Sequence, residues 1–328
     1  MSAIFAEALV RHFPPDIRAV DGIDLDIQEG QIFAFLGANG SGKTTTVRML
    51  TTLLLPTSGR ASVLGLDVVK DGTRVRQQIG VALQDAGLDD LQTGRELLTL
   101  QARLYRVPPR EVTAQVDRLL RIVDLEDAAD RRVKTYSGGM RRRLDLAAAL
   151  VHKPKVIFLD EPTTGLDPIS REAIWRYVVQ LNSEDGVTFF LTTQYLEEAD
   201  RLAHDVAIMD KGKIVARGSP EDLKASIGAD RITVRVPDDE STLLERAVEA
   251  VKSVSGFEDA QVIEGTVVIY VRDGKSAVAP VVLALDERGI PVEEISLARP
   301  SLDDVFLRTT GHKIEQDDLL GAPARSQL

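Results

Sequence analysis

The 328-residue chain has no cysteine, few aromatics, no long apolar run and no excess of positive charge. Without thiols, disulfides and thiolate metal sites are excluded, and the composition suits a reducing cytoplasm. Aromatics make up 5% of residues against 44% for all hydrophobics. Leu, Val and Ile must therefore carry the core, the balance expected of an α/β protein with buried parallel strands. No stretch approaches the roughly 18 apolar residues needed to cross a bilayer. The best candidate, residues 278–285, is interrupted by Pro280. Residues 1–10 lack a basic segment and include Glu7, so no signal peptide is expected. Any membrane role would come through a partner. The formal net charge of −11 would repel nucleic-acid phosphates, so nucleic acid is not an expected partner. The length allows two ordinary domains.

The stretch that organises the rest reads Gly37-Ala38-Asn39-Gly40-Ser41-Gly42-Lys43-Thr44-Thr45. It follows an apolar run, Ile32-Phe33-Ala34-Phe35-Leu36, and precedes a helical pattern. Strand, glycine loop and helix in that order form the context of a phosphate-binding loop. Gly37, Gly40 and Gly42 lack a Cβ, so the backbone can curl and turn its N–H groups toward a polyphosphate. A helix opening at Lys43 adds the positive end of its dipole. Lys43 can reach the β- and γ-phosphates, and the Thr44 hydroxyl is placed to hold Mg²⁺.

A second apolar run, residues 156–159, ends in Asp160-Glu161-Pro162. Asp160 can accept from Mg²⁺-bound water, and Glu161 can hold the attacking water and take its proton. The strand expected over 79–83 ends at Gln84, on the side where α/β proteins bind ligands. Gln84 is either a Mg²⁺ or water contact or a satisfied strand end. Residues 95–106 and 110–124 have helical spacing, with Leu97, Leu98, Leu100 and Leu104 and then Val116, Leu119, Leu120 and Val123. They read as a helical insert, which with the next helix spans about 86–150. Tyr136-Ser137-Gly138-Gly139-Met140 opens that helix, Ser137 as N-cap and the two glycines leaving N–H groups for an anion. Arg141, Arg142 and Arg143 read as a solvated face rather than phosphate ligands, since charge runs are usually exposed. Asp167 lies in an exposed turn before Pro168, and the strand expected over 187–193 ends at Gln194.

Elsewhere, 4–10 and 23–27 read as short strands and Asp21-Gly22 as a tight turn. Phe13, before Pro14-Pro15, is either an adenine platform or a loop anchor. Residues 206–209 and 213–216 form a hairpin, and Pro220 starts a helix. Beyond 227 the composition shifts, and a β-α-β-β-α-β order predicts a ferredoxin-like unit over 228–312. The polar tail, 313–328, is expected to be disordered.

Together the segments at 37–44, 84, 136–140, 160–161 and 167 stand in the order of the ATP-binding cassette (ABC) family, a resemblance covering about 4–225. The Ser-Gly-Gly stretch is the specific element, because other glycine-loop nucleotidases lack it. More closely, TYSGGMRRRLDLA, TTGLDPISR, LTTQYLEEAD and PSLDDVFLRTTGH resemble the daunorubicin/doxorubicin-resistance ATP-binding subunits of bacterial exporters. The resemblance implies a P-loop ABC ATPase domain over 1–227, with a RecA-like core, a helical subdomain and an antiparallel β subdomain, then the small α+β unit. It implies Mg²⁺-dependent ATP hydrolysis and a head-to-tail dimer of two copies. Each ATP would lie between one copy's phosphate loop and the other's Ser137-Gly138-Gly139, with Asp167 nearby. It places Phe13 at the adenine, and Gln84 with its following loop against a separate membrane permease. The protein would thereby sit at the cytoplasmic face of the membrane. Gln194 stands where most cassettes have histidine. It can donate to a γ-phosphate but cannot carry a positive charge, which leaves Glu161 as the favoured base.

Overall fold

The structure is a computed structural model that describes residues 2–83, 87–227, 230–237, 241–263, 265–298 and 300–312. Gln84 and the tail 313–328 lie outside the described residues. The chain forms two compact units, one holding residues to Pro220 with His312, the other Glu221–Gly311. The division falls seven residues ahead of the boundary expected at 227/228.

The first unit opens with two long antiparallel strands, β1 (Ser2–Phe13) and β2 (Ile17–Gln28). They are about twice the length their alternation suggests. Ala8 interrupts the β1 pattern in a left-handed conformation, φ +46°. The expected turn at Asp21-Gly22 is instead a bulge inside β2. Leu9 pairs with Ile23 and Val10 with Asp21, so Gly22, at φ +74°, is left over. A bulge and a turn both need the glycine, and local sequence cannot separate them.

β3 (Ile32–Leu36) leads through the glycine loop into α1 (Lys43–Leu50). β4 (Ser58–Val63), β5 (Leu66–Asp67) and α2 (Gly72–Arg76) follow, then β6 (Ile79–Ala82). The helical segment holds α3 (Gly94–Leu104), α4 (Pro109–Ile122) and α5 (Gly138–Leu150). Thr93 and Glu96 close a capping box at the start of α3. Leu97 and Leu98 are buried as the periodicity predicts, while Leu100 and Leu104 are exposed. The core resumes with β7 (Val156–Asp160), α6 (Pro168–Asp185), β8 (Thr188–Thr193) and α7 (Leu196–Leu202). The hairpin β9 (Asp205–Asp210) and β10 (Lys213–Gly218) completes the elements of the first unit, and helix α8 (Pro220–Ile227) starts there at Pro220 and belongs from Glu221 onward to the second.

Two sheets result. One is antiparallel, in the order β2-β1-β4-β5. The other runs β10-β9-β3-β8-β7-β6, parallel except for β10. All five residues of β3 and of β7, and all six of β8, are buried. Strands covered on both faces read as unbroken apolar runs, which is why these were legible. Phe33, Phe35, Phe158 and Phe190 are fully buried, with ring centroids 5.2 to 6.2 Å apart. With β8 between β3 and β7, three strand ends emerge side by side: Leu36 into the glycine loop, Thr193 into Gln194, and Asp160 into Glu161.

The second unit has its own sheet, order β12-β13-β11-β14, all antiparallel. Its elements are β11 (Asp230–Arg235), α9 (Ser241–Val251), β12 (Phe257–Ile263), β13 (Thr266–Val271), α10 (Gly274–Asp286), β14 (Glu294–Ala298) and α11 (Leu302–Thr310). This is the ferredoxin-like connectivity expected from the element order. Ile232, Val234, Val251, Val267, Ile269, Val281 and Leu285 form its core. Ser301 and Asp304 close a capping box on α11, and Asp304 pairs with Arg231 at 2.7 Å.

Candidate functional site

The glycine loop is held from three sides. Gly37 N–H donates to the Thr193 carbonyl at 3.2 Å. Gly212, in the β9–β10 turn, donates to the Ser41 carbonyl at 2.9 Å and accepts from Asp21 of β2 at the same distance. Gly42 sits at φ +111°, and a Cβ there would lie 2.2 Å from the Ala19 carbonyl oxygen. Only glycine fits. Gly40 is also left-handed, φ +79°, but open space surrounds it. Asn39, Gly40, Gly42, Lys43, Thr44 and Thr45 line a cavity of about 330 Å³ with Glu161 and Ala19. Ala19 was not singled out in the sequence. It sits on a strand distant along the chain, and no local pattern marks it.

Lys43 is buried, its ammonium donating to the carbonyls of Gly37 at 2.8 Å and Ala38 at 3.1 Å. Glu161 Oε1 lies 3.6 Å from Nζ. Burial pushes the ammonium's pKa down, and the Glu161 and Asp160 carboxylates pull it back up. Asp160 is buried and accepts from Thr44 Oγ1 at 3.1 Å and Thr192 Oγ1 at 2.5 Å. Thr192 is the residue paired with Asp160 across β7 and β8. Glu161 stands apart from Asp160 because its backbone turns left-handed, φ +49°, a conformation non-glycine residues adopt rarely. The Thr192 carbonyl and hydroxyl hold its N–H at 3.1 and 3.0 Å, and Thr164 donates to its Oε2 at 3.3 Å. Two adjacent acids are thereby aimed at different places.

Gln194 follows β8 and is buried, its Oε1 accepting no hydrogen bond from the protein. The Ser41 hydroxyl in the loop is likewise buried and unpaired. Unsatisfied buried polar atoms are uncommon unless something else engages them. On α7, Glu198 is fully buried, and burial pushes its carboxyl pKa up. It accepts from Thr163 at 3.0 Å and from Trp175 Nε1 at 2.8 Å, so the single tryptophan is a core residue with a bonded edge.

Five predicted residues, Phe13, Ser137, Gly138, Gly139 and Asp167, do not line the phosphate cavity. Phe13 is half-buried and lines a separate cavity of about 290 Å³ with Pro14, Pro15 and Arg18. The Arg11 guanidinium lies 4.6 Å from its ring centroid. Ser137 caps α5, accepting from Met140 N–H at 3.2 Å, and with Gly138 is exposed. Gly139 is buried, and a Cβ there would lie 2.3 Å from Ser170 Oγ, so its bareness serves packing. Asp167 caps α6, accepting from Ser170 N–H at 2.9 Å and Oγ at 2.7 Å, which holds its carboxyl below the usual range.

The arginine run corrects the sequence reading. Arg142 is buried, not solvated. Its guanidinium donates to the carbonyls of Pro162 at 3.0 Å and Asp160 at 2.9 Å, to that of Leu83, and to Asp145 at 3.1 Å. Arg141 pairs with Asp90 at 2.5 Å, and Arg143 donates to the carbonyls of Val123 and Asp124. A charge run shows nothing of the acceptors beneath it.

Comparison with known proteins fits this arrangement. The ABC transporter family profile matches residues 20–164, and that of the ATP-binding protein DrrA1-3-like C-terminal domain matches 218–310. The chain is 46% identical to the daunorubicin resistance ATP-binding protein DrrA2 of Streptomyces coeruleorubidus, over 96% of this chain and 97% of that one. It is 43% identical to the daunorubicin/doxorubicin resistance ATP-binding protein DrrA of Streptomyces peucetius, over 90% and 88%. Among solved structures, a bacterial ABC transporter cassette determined as a dimer superposes with a TM-score of 0.61 at 25% identity, over 66% of this chain and 98% of that one. With relatives matched over most of their length and a nucleotide-phosphate site built as above, the chain belongs to the daunorubicin/doxorubicin-resistance family of ABC transporter ATP-binding subunits, and is an ATP-hydrolysing one.

Proposed function

We propose that two copies of the chain bind two Mg²⁺-ATP head to tail. Cycles of closure and hydrolysis then drive a separate membrane permease that exports a hydrophobic drug or lipid. The observation that carries the reading is the cavity where the glycine loop, Lys43 and Glu161 converge. The residues fit the group. Gly40 leaves open space at the loop and Gly42 lets the loop close against Ala19, the Ser41 hydroxyl is buried and unpaired, and the Thr44 hydroxyl and Asp160 carboxylate meet as a pair of hard oxygens suited to magnesium.

In this mechanism Lys43 turns from the loop carbonyls to the β- and γ-phosphates, joined by loop N–H groups and the side chains of Ser41 and Thr45. Thr44, Asp160 and Gln84 are the magnesium-side residues, with Thr192 fixing Asp160. The metal, when bound, neutralises charge building on the phosphate oxygens. Glu161 takes the proton of the attacking water, and Gln194 orients water or donates to the γ-phosphate. Phe13 stacks on adenine. Ser137 and Gly138, exposed at the α5 N-terminus, face the nucleotide of the partner copy, with Asp167 beside them. The dimeric relative supports that assembly. No helix among the described residues is long and apolar enough to cross a membrane, in keeping with a peripheral subunit held through its permease. We assign nucleotide handling to 1–227 and an accessory, dimer-capping role to 228–312.

Lys43→Ala is expected to abolish steady-state ATP hydrolysis. Glu161→Gln is expected to bind ATP, fail to cleave it, and elute as a dimer on size exclusion in ATP and magnesium. A Glu161→Gln protein that stays monomeric in saturating ATP contradicts the shared-nucleotide assembly.

A further inference from the structure

Arg142 occupies an unusual place for a charged side chain. It leaves α5 five residues after Ser137, about 7 Å along the helix, and buries its guanidinium under the ends of two parallel strands. Where β6 and β7 stop, the carbonyls of Leu83, Asp160 and Pro162 lose the partners a continuing sheet would supply, and buried carbonyls require donors. Arg142 supplies all three. Nε bonds Pro162, Nη2 bonds Asp160, and Nη1 bonds both Leu83 and the Asp145 carboxylate. A planar fork of five donors can span three separated acceptors, whereas a lysine ammonium radiates from one point.

The placement of those acceptors matters. Asp160 and Pro162 flank Glu161, and Leu83 precedes Gln84. Apart from its Thr192 contacts, the left-handed backbone of Glu161 is bracketed by Arg142 on either side. We propose that Arg142 is a positioning residue that ties the Ser137 end of α5 to the backbone carrying Glu161. A nucleotide contact at the serine–glycine end would then be felt at the general base. This rests on the ATPase reading above and adds to it how the two ends of the site are joined.

The clamp can be tested in the full-length protein by Arg142→Lys, which keeps the charge and loses the fork, alongside Arg142→Met. Two readouts separate the ideas. In nucleotide-free protein, hydrogen exchange in peptides covering 159–165 and 137–143 is expected to rise at least fivefold in Arg142→Lys, with β3 unchanged. This holds whether or not the protein turns over. In ATP and magnesium, kcat is expected to fall at least tenfold with KM for ATP within threefold, and fluorescent-nucleotide affinity to stay close to wild type. Unchanged exchange together with unchanged kcat in either folded variant overturns the proposal. Losses of nucleotide affinity, exchange protection and melting temperature that run in parallel across the whole first unit also overturn it, because they mark a general structural role. A wild-type protein without ATPase activity that still shows the exchange effect would leave the clamp standing and remove the catalytic reading.

Discussion

At the scale of single residues, the site depends on backbone conformations that few side chains tolerate. Gly42 and Gly40 are both left-handed, yet their surroundings differ. A Cβ at 42 would meet a backbone carbonyl oxygen at 2.2 Å, while at 40 it would meet nothing within 4 Å. Gly40→Ala is expected to cost only about 1 kcal/mol, the conformational penalty alone. Gly42→Ala adds an overlap that no rotamer relieves, and about 3 kcal/mol with a tenfold or greater loss of nucleotide affinity is expected. Denaturant melts and nucleotide titrations on the two variants make the comparison. Equal costs would show the loop to be less tightly held against β2 than the geometry requires. Both glycines were legible in sequence, but which of them is irreplaceable was not, since Ala19 is brought in by the fold.

At the scale of elements, α5 carries a titratable pair inside the protein. Asp145 lies one turn beyond Arg142, and burial pushes its carboxyl up to about 6, with Arg142 pulling it back. The folded carboxyl keeps its proton to higher pH than the unfolded one. Its contribution to stability is therefore full below the ordinary value of 3.8 and is lost as pH rises toward 6. That loss is on the order of 3 kcal/mol. Asp145→Asn should flatten the pH dependence of stability between pH 4 and 6 by about one proton, read from denaturation midpoints across that range. An unchanged slope would mean the carboxyl titrates as if exposed. The helix itself was legible from Ser137 and the leucine spacing. What lies under it was not, because a run of three arginines looks alike whether it faces water or the ends of a sheet. The same limit hid the length of β1 and β2, whose alternation breaks at Ala8 and Gly22 without ending the strands.

At the scale of the whole molecule, two units each possess a hydrophobic core. The chain's one tryptophan, Trp175, is buried in the first, so its fluorescence reports that unit while backbone circular dichroism reports both. Ile269 is fully buried in the second core, and Ile269→Ala is expected to cost that unit about 2–5 kcal/mol. The dichroism transition should then begin at lower denaturant than the fluorescence transition, with nucleotide affinity within twofold of wild type. Coincident transitions shifted together would show one cooperative unit instead. The element order alone was enough to read the second unit's architecture, since β11 alternates, β13 is one apolar run after Glu264-Gly265, and two helical stretches separate the strand pairs. Its role was not legible, because the same connectivity serves many tasks.

The left-handed turn at Glu161 sets chemistry and durability against each other. Glycine or asparagine would sit there with less conformational penalty, of order 1 kcal/mol, but neither could accept a water's proton. Glutamate persists at 161 only while turnover is demanded. A population of this chain selected for thermal survival alone should lose its acid at that position early, and its survivors would be sturdier proteins that grip nucleotide and never release it by cleavage.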